Sequence, residues 1–385
     1  MTKTNILTEF YAIGQPSVIL ENDTFKMWYC AAGIDHRSRI LYAYSLNGIN
    51  WHKYQNGGFV LNIGSAGEWD SKWLDTPAIV RTANDYKLYY FGDDVDTFPP
   101  HIGAIGVALS NNGINWTKYP GNPILTKGDS LSWEAKWIES PAVIYDNGVY
   151  KMWYTGVGFD WRIKIGYATS ANGLVWTKYT NNPVVGSGLS GSFDDYWVGV
   201  PTVIKRGGLY EMWYSALSEA DLVDGRYDTI RIGYATSTDG INWDKYSNNP
   251  VLSTLTPPYN PAVDTNGPWA PSVVYDGYNY RMWYESAAGF CYATAPLNIL
   301  EQEDRTSIDF FIRPNPMRSF TQIKLPGSFK VVIYNITGKE IRKLNGINEV
   351  FWDGKDYLNE KVPTGIYFLK LISETCKVNK KLIIY

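Results

Sequence analysis

A phrase that recurs at nearly regular spacing constrains this chain more than any other feature. It starts with a segment such as Tyr-Lys-Met-Trp-Tyr, continues with Ile-Gly-Tyr-Ala-Thr-Ser and Asn-Gly, and ends with Trp-Thr-Lys-Tyr. The copies occupy Phe25–Tyr54, Tyr86–Tyr119, Tyr150–Tyr179, Tyr210–Tyr246 and, in shortened form, Tyr280–Thr294. A proline step opens each copy, at Pro16, Pro77, Pro141, Pro201 and Pro271. A nearly fixed period with several strand-like segments per unit is typical of a repeat architecture.

Each repeat is predicted to contain four short strands. In the third copy these are Ala142–Tyr145, Tyr150–Tyr154, Ile165–Thr169 and Val175–Tyr179, which are rich in aromatic and β-branched residues. Asn-Gly or Asp-Gly pairs between the third and fourth strands favour two-residue hairpins. Five such units predict an all-β, five-bladed β-propeller. The fifth copy lacks its last strand, and we expect the N-terminal stretch Asn5–Tyr11 to supply it and close the ring.

The composition changes after Leu297. Residues 298–307 are polar and charged, which indicates a linker. Residues 308–385 alternate apolar strands with Gly and Asn turns, which predicts a small β-sandwich. The predicted organisation is therefore a propeller over 1–297, a linker over 298–307 and a C-terminal domain over 308–385.

The C-terminal segment resembles the sorting domain of type IX secretion cargo and its immunoglobulin-like relatives. The resemblance is carried by Pro314–Pro316, Ile333–Gly338, Trp352–Gly354 and Val362–Tyr367. It implies an immunoglobulin-like β-sandwich that is recognised by the secretion machinery, and a protein that is extracellular or held at the cell surface. A generic β-sandwich accessory module is the alternative.

Charge and composition exclude several classes of function. The chain has 35 Lys and Arg against 38 Asp and Glu, so it lacks the basic excess of a nucleic-acid binder. It has no run of about 18 apolar residues, so no membrane span is predicted. The three cysteines have no metal-ligand spacing. We expect a monomer without a cofactor. A calcium ion at Asp93–Asp96 stays open, although this segment lacks the Gly and Glu spacing of a dedicated loop.

Two acids stand out when the copies are compared. Trp69–Pro77 aligns residue for residue with Trp133–Pro141, and places Asp75 and Glu139 two residues ahead of their prolines. The other three copies carry Gly or Trp there, so the blade itself does not require an acid. Asp75 and Glu139 are therefore predicted catalytic residues at the mouth of the axial cavity. The alternative is that each carboxylate caps the turn ahead of the proline or accepts a backbone N–H.

Long connections follow the second and fourth strands of each repeat, and in an antiparallel meander both kinds emerge on the same face. Loops on a rigid scaffold carry function disproportionately. The predicted substrate-binding residues on this face are Trp73, Trp137, Asp93, Asp94, Asp96, Trp161, Arg162, Trp197 and Trp269. For the tryptophans at repeat positions, packing between blades is the alternative.

The repeat region resembles the five-bladed carbohydrate-active propellers of glycoside hydrolase families 43, 32, 68 and 130. The resemblance rests on the blade count, on the acids ahead of the prolines and on Asp-Gly-Ile-Asn-Trp at 239–243. It implies that Glu139 is the acid and that Asp75 tunes its pKa or stabilises the transition state. The family's base or nucleophile is an Asp before the first-blade proline, where this chain has Gln15.

Two functions stay open from the sequence alone. Glycoside hydrolysis needs two carboxyls, roughly 5–5.5 Å apart for retention and about 6.5–9.5 Å for inversion. With Glu139 as the acid, Asp75 or an Asp of 93–96 would have to be the base. A non-catalytic glycan-binding or surface-adhesion propeller would use the same aromatic side chains as stacking platforms.

Overall fold

The fold is described from a computed structural model of the chain. The structure describes residues 9, 12–83, 85–95, 102–223, 229–253, 267–286, 289–296, 311–313, 317, 319–335, 338–373 and 377–384. The chain divides into two compact units, Met1–Pro296 and Leu297–Tyr385.

The first unit contains five antiparallel sheets that succeed one another along the chain. The first comprises β1 (Ala12–Glu21), β2 (Thr24–Ala32), β3 (Ser38–Ser45) and β4 (His52–Lys53), with β5 (Phe59–Leu61) also paired to β3. The second comprises β6 (Trp73–Arg81), β7 (Tyr86–Asp93), β8 (Ala104–Ser110) and β9 (Thr117–Lys118). The third comprises β10 (Trp137–Asp146), β11 (Val149–Val157), β12 (Ile163–Ser170) and β13 (Thr177–Lys178). The fourth comprises β14 (Trp197–Arg206), β15 (Leu209–Leu217), β16 (Arg231–Ser237) and β17 (Asp244–Lys245), and the fifth β18 (Trp269–Tyr275), β19 (Asn279–Ser286) and β20 (Gly289–Pro296).

The first strands of the five sheets contact one another in a closed ring, with β1 touching both β6 and β18. This arrangement confirms the five-bladed propeller. The helical elements that the structure describes with both bounds are a 3-10 turn at Tyr54–Asn56 and α1 at Glu219–Val223. Across the described part of the chain, no helix is long and apolar enough to cross a membrane.

The strand bounds differ from the sequence prediction in one way that matters for the site. The first strand of the third blade begins at Trp137 rather than Ala142. Asp75 and Glu139 therefore lie inside first strands and not in the loops that precede them. The fourth strands are shorter than predicted, with two residues each.

Neighbouring blades are joined by an aromatic side chain that reaches into the next blade's Asn-Gly or Asp-Gly turn. The indole N–H of Trp28 donates to the carbonyl of Gly113 at 2.8 Å, and that of Trp153 to Gly240 at 2.8 Å. Trp283 donates to Gly48 at 2.7 Å and so links the fifth blade to the first. Each glycine has a positive φ, and a Cβ at Gly48 would lie 2.8 Å from the Trp283 ring. The turn glycines thus serve hairpin geometry and blade packing together.

A second repeated device is a buried acid seven residues ahead of the proline. In four blades this acid pairs with the tyrosine of the second strand and the lysine of the fourth, as in Asp70 with Tyr90 and Lys118. The other sets are Glu9 with Tyr29 and Lys53, Glu134 with Tyr154 and Lys178, and Asp194 with Tyr214 and Lys245. These acids hold strands together, because buried charges are stable when paired and hydrogen-bonded.

Within the described residues, the fifth blade has three strands where four were expected. The predicted closing strand Asn5–Tyr11 lies outside the described residues, apart from Glu9. Glu9 itself bonds to Tyr29 and Lys53 of the first blade. A fourth strand of the fifth blade therefore stays a prediction.

The second unit is one antiparallel sheet built around long strands. Its strands are β21 (Phe311–Arg313), β22 (Thr321–Asn335), β23 (Glu340–Trp352), β24 (Gly365–Ser373) and β25 (Lys377–Ile384). The pairing order is β21-β22-β24-β25, with β23 also on β22. Its core includes Ile333, Trp352, Tyr367 and Leu369. The predicted immunoglobulin-like sandwich stays a prediction.

Candidate active site

Every first strand carries a bulge at its proline. The pairing register jumps at the same place in all five blades, for example between Asp75 and Ala78 and between Glu139 and Ala142. The residue before each proline has a left-handed backbone, with φ between 47° and 52° for Gln15, Thr76, Ser140, Val200 and Ala270. This conformation is uncommon for non-glycine residues and more so for β-branched ones. Bulges re-aim side chains and concentrate near active sites.

The five bulges are locked to one another by a ring of hydrogen bonds. Each pre-proline N–H donates to a side-chain oxygen of the preceding blade. The bonds run from Gln15 to Glu285 (3.0 Å), Thr76 to Gln15 (2.9 Å), Ser140 to Thr76 (3.2 Å), Val200 to Thr155 (2.8 Å) and Ala270 to Ser215 (3.0 Å). The ring narrows the axial channel to a space of about 30 Å³, which holds about one water molecule.

Asp75 is held by the Ser38 hydroxyl of the first blade, which donates to its carboxylate. The Cys30 thiol lies nearby, and its hydrogen-bond acceptors are the Gly14 carbonyl at 3.3 Å and the Gln15 side-chain oxygen at 3.2 Å. Burial raises the pKa of Asp75, while the polar contacts with Ser38 and Cys30 lower it. Burial also raises the pKa of the Cys30 thiol well above its usual value, so the thiol stays protonated and serves as a donor. Asp75 is thus a firmly positioned carboxyl group.

Glu139 has the electrostatics of a proton donor. Burial, followed by the nearby charge of Asp75, raises its pKa to about 7, while a hydrogen bond from the Trp137 side chain opposes the shift. Glu139 nonetheless keeps partial solvent exposure, so water can reach it. A carboxylic acid that stays protonated near neutral pH is what general-acid catalysis requires.

A third carboxyl, Glu285 on β19, was missed by the sequence analysis. Burial first, and then the charge of Asp75, raises its pKa to about 7, against a hydrogen bond from the Gln15 N–H. A comparison of the second strands of the five repeats indicates this residue. The residue after the Met-Trp-Tyr segment is Cys30, Phe91, Thr155, Ser215 or Glu285, so only the fifth copy has an acid.

The three carboxyls form one electrostatic group. Asp75 contributes to the raised pKa values of both Glu139 and Glu285. Like charges in a shared, partly buried site cannot all ionise easily, so at least one carboxyl stays protonated near neutral pH. Among the described residues, neither Asp75 nor Glu139 shows the backbone N–H bond that the alternative interpretation required; their partners are side chains.

The predicted aromatic residues fall into two clusters. Trp73 and Trp137 pack together with Phe91 between the second and third blades, and Trp161 meets Trp137 edge-on at 5.9 Å. Trp197 and Trp269 meet edge-on at 5.3 Å between the fourth and fifth blades. Trp161 is 43% exposed, and the Lys136 ammonium lies 2.9 Å from the ring centroid. Trp161 is therefore the member of this set that presents most surface to a ligand.

The predicted polar binding residues mainly shape loops. Asp93 is buried and accepts the N–H groups of Asp94 (2.8 Å) and Ile102 (3.2 Å), so it fixes both ends of its loop. Asp96 lies outside the described residues. Arg162 donates to the carbonyl of Asp195 at 2.8 Å and pairs with Glu219 at 3.3 Å. Within the described ranges, no group of three or more His, Cys, Asp or Glu side chains is placed to hold a metal ion.

Comparison with solved structures gives the fold of the first unit. The chain is similar to a thermostable family-43 glycoside hydrolase, with a TM-score of 0.57 and 20% identity over 77% of this chain and 92% of that one. It is also similar to a protein of the GH130 mannoside phosphorylase family, with a TM-score of 0.57 and 20% identity over 74% and 84% of the two chains. The first unit has the fold of the propeller glycosidases.

Sequence comparison gives one family match and several relatives. Residues 312–385 match the secretion system C-terminal sorting domain, which implies secretion. The uncharacterized protein Rv1502 of Mycobacterium tuberculosis (strain ATCC 25618 / H37Rv) is 29% identical over 241 residues, 58% of this chain and 72% of that protein. A 1,2-beta-oligomannan phosphorylase of Thermoanaerobacter sp. (strain X514) is 27% identical over 116 residues, 29% of this chain and 38% of that protein.

Proposed function

We propose that this protein is a secreted glycoside hydrolase in which Glu139 protonates the leaving sugar oxygen. The observation that carries the proposal is the environment of Glu139, whose pKa burial and the charge of Asp75 raise to about 7. Asp75 then has two roles, because it keeps Glu139 protonated before the reaction and stabilises positive charge that develops on the sugar ring.

The proposed substrate is a glycan outside the cell. The propeller fold is shared with glycosidases of families 43 and 130, and the sorting-domain match supports export. Sugar rings would stack on Trp161, which is 43% exposed. One relative is a 1,2-beta-oligomannan phosphorylase, so β-1,2-linked mannooligosaccharides belong in the first panel of test substrates, beside plant, algal and microbial polysaccharides.

A non-catalytic glycan-binding propeller is the second candidate. It is favoured by one specific observation, which is that Gly14 and Gln15 stand where the first blade could have carried an acid like Asp75 or Glu139. In that case the carboxyls would only accept hydrogen bonds from sugar hydroxyls, and no glycosidic bond would break.

The variant Glu139→Gln distinguishes the hydrolase from the glycan-binding module. Glu139→Gln keeps the shape and a hydrogen-bonding oxygen but cannot deliver a proton. On a natural glycan we expect kcat to fall by about 10³-fold or more with little change in affinity. On an aryl glycoside with a dinitrophenolate leaving group, which departs without protonation, the loss should shrink to about tenfold or less.

The control is Asp129→Asn, which changes an exposed loop carboxyl and should leave turnover unchanged. Equal losses on both substrates would remove Glu139 from the acid role. Glycan retention without any cleavage by the unaltered protein would favour the binding module instead.

A further inference from the structure

The carboxyl group of Glu285 occupies the space that an acid on the first blade would fill. The second and third blades carry acids two residues ahead of the proline, whereas the first blade has Gly14. A Cβ placed on Gly14 would lie 2.7 Å from the carboxyl carbon of Glu285 and 3.0 Å from Oε1. Both separations are shorter than ordinary van der Waals contact. The first blade therefore lacks a side chain there, and the fifth blade places a carboxyl in the same position.

Blade-to-blade hydrogen bonding does not explain why this residue is a glutamate. Thr155 and Ser215 occupy the equivalent position in the third and fourth blades, and their hydroxyls accept the next blade's pre-proline N–H at 2.8 and 3.0 Å. Glu285 accepts the same kind of bond from Gln15 at 3.0 Å. A hydroxyl meets this need without the desolvation cost of a carboxylate. The hydrogen bond between the blades therefore does not require the charge of Glu285.

We propose that Glu285 is the general base of the site and replaces the acid that the first blade lacks. This inference rests on the proposed glycosidase function, in which Glu139 is the acid. The oxygen of a water molecule attacks the anomeric carbon, and one of its protons passes to the Glu285 carboxylate. The electrons of the breaking carbon–oxygen bond move to the leaving oxygen, which takes the proton from Glu139. One water is consumed, and solvent restores both carboxyls to their starting protonation states.

The order of the blades supports this division of roles. The carboxyl of Glu285 lies against Gly14 of the first blade, Asp75 belongs to the second and Glu139 to the third. Asp75 influences the pKa of both glutamates, as expected for the middle member. Glu285 and Glu139 are thus the outer pair, which suits the wider separation, about 6.5–9.5 Å, that leaves room for an attacking water. Asp75 accepts a hydrogen bond from the Ser38 hydroxyl, which holds it between the two glutamates.

The first test compares Glu285→Gln with Glu139→Gln on the most reactive glycan and on its dinitrophenyl glycoside. Glu285→Gln keeps an oxygen to accept the Gln15 N–H but removes the base. We expect kcat/KM to fall by about 10³-fold on both substrates, because water attack needs a base whatever the leaving group. The loss for Glu139→Gln should instead depend on the leaving group. Melting temperatures near that of the unaltered protein would show that the ring is intact.

The second test moves the carboxyl from the fifth blade to the first. Glu285→Ser, which copies Ser215 of the fourth blade, should be inactive, and Gly14→Asp alone should lower the activity because its side chain must displace the Glu285 carboxyl. The double variant Gly14→Asp/Glu285→Ser should recover at least about tenfold over Glu285→Ser. Gly186→Ala is the control, because a Cβ there meets nothing within 4 Å.

The outcomes separate the two levels of the account. If the unaltered protein cleaves nothing in the panel, the glycosidase proposal fails and the base assignment with it. If the protein is active and Glu139→Gln is impaired while Glu285→Gln retains more than a tenth of the activity, only the base assignment is overturned. A folded double variant no more active than Glu285→Ser would refute the equivalence of the two positions.

Discussion

Replacing Glu139 by glutamine should change how the stability of the propeller depends on pH. The pKa of Glu139 is about 7 in the folded protein against an ordinary value of 4.5, because of burial and the charge of Asp75. A tenfold change in an acid dissociation constant corresponds to about 1.4 kcal/mol. The partial exposure of the carboxyl lets water reduce this effect, so we expect ionisation of Glu139 to destabilise the fold by roughly 1–3 kcal/mol.

The sign follows from proton binding. Between pH 4.5 and about 7 the folded protein holds the Glu139 proton more tightly than the unfolded chain does. The free energy of unfolding therefore falls as pH rises through this window. Asp75 and Glu285 also have raised pKa values and act in the same direction. Glu139→Gln removes one of these three contributions, so its advantage over the unaltered protein should be greater at about pH 8 than at about pH 4.5.

Urea unfolding at the two pH values measures this difference. Tryptophan fluorescence is a suitable probe, because every tryptophan except Trp352 precedes residue 297 and the signal reports mainly the propeller. Extrapolation to zero urea gives the free energies of unfolding. Asp129→Asn, at an exposed loop position, is the matched control variant. If Glu139→Gln and the unaltered protein differ equally at the acid and the alkaline pH, Glu139 is not held protonated and the electrostatic reasoning fails.

Three further predictions concern other parts of the molecule. Glu21 joins two blades, and although burial raises its pKa, hydrogen bonds from Lys26, Tyr86 and Arg81 lower it to about 2. Glu21→Gln should therefore lower the free energy of unfolding by about 1 kcal/mol at neutral pH. Urea titrations should show this loss shrinking as the pH falls from about 5 towards about 3. Removal of residues 298–385 should leave the circular dichroism and activity of the propeller unchanged but abolish secretion, whereas an unfolded product would assign the segment a structural role. Trp161→Ala should weaken glycan binding about tenfold in calorimetry with an unchanged melting temperature, since the ring is 43% exposed; unchanged affinity would exclude Trp161 as a platform.

Much of the fold could be predicted because the same sequence pattern recurs in every blade. Aromatic strands, Asn-Gly turns and prolines occur at equivalent positions of the repeats, so a strand that is ambiguous in one copy can be assigned from the others. The first-strand bulge was not predicted, because it depends on a left-handed backbone at residues such as Thr76 and Val200, and nothing in their chemistry favours that conformation. The bulge is stabilised by hydrogen bonds between blades, and the residue pattern of one strand does not indicate those bonds.

The proposed site contains two carboxyls that the sequence predicted, Asp75 and Glu139, and one that it did not, Glu285. Asp75 and Glu139 emerged because they break the repeat in aligned segments ahead of the proline. Glu285 breaks the repeat in a different strand, directly after the Met-Trp-Tyr segment, and the sequence prediction compared only the segments around the proline and the loops. Its position beside Gly14 depends on ring closure between the fifth and first blades, a contact between residues separated by nearly the whole propeller sequence. Comparing all strand positions across the copies, and not only the loops, would have found it.

A crystal structure of Glu139→Gln with an uncleaved oligosaccharide, taken from the panel substrate that the unaltered protein cleaves, tests the central claim most directly. We predict that the sugar lies against the three carboxyls, with the glycosidic oxygen about 2.6–3.2 Å from the side chain of residue 139 and the anomeric carbon facing Glu285 across a bound water. An oligosaccharide bound elsewhere on the propeller, or one whose glycosidic oxygens all lie beyond reach of residue 139, would contradict the assignment of these carboxyls as the active site.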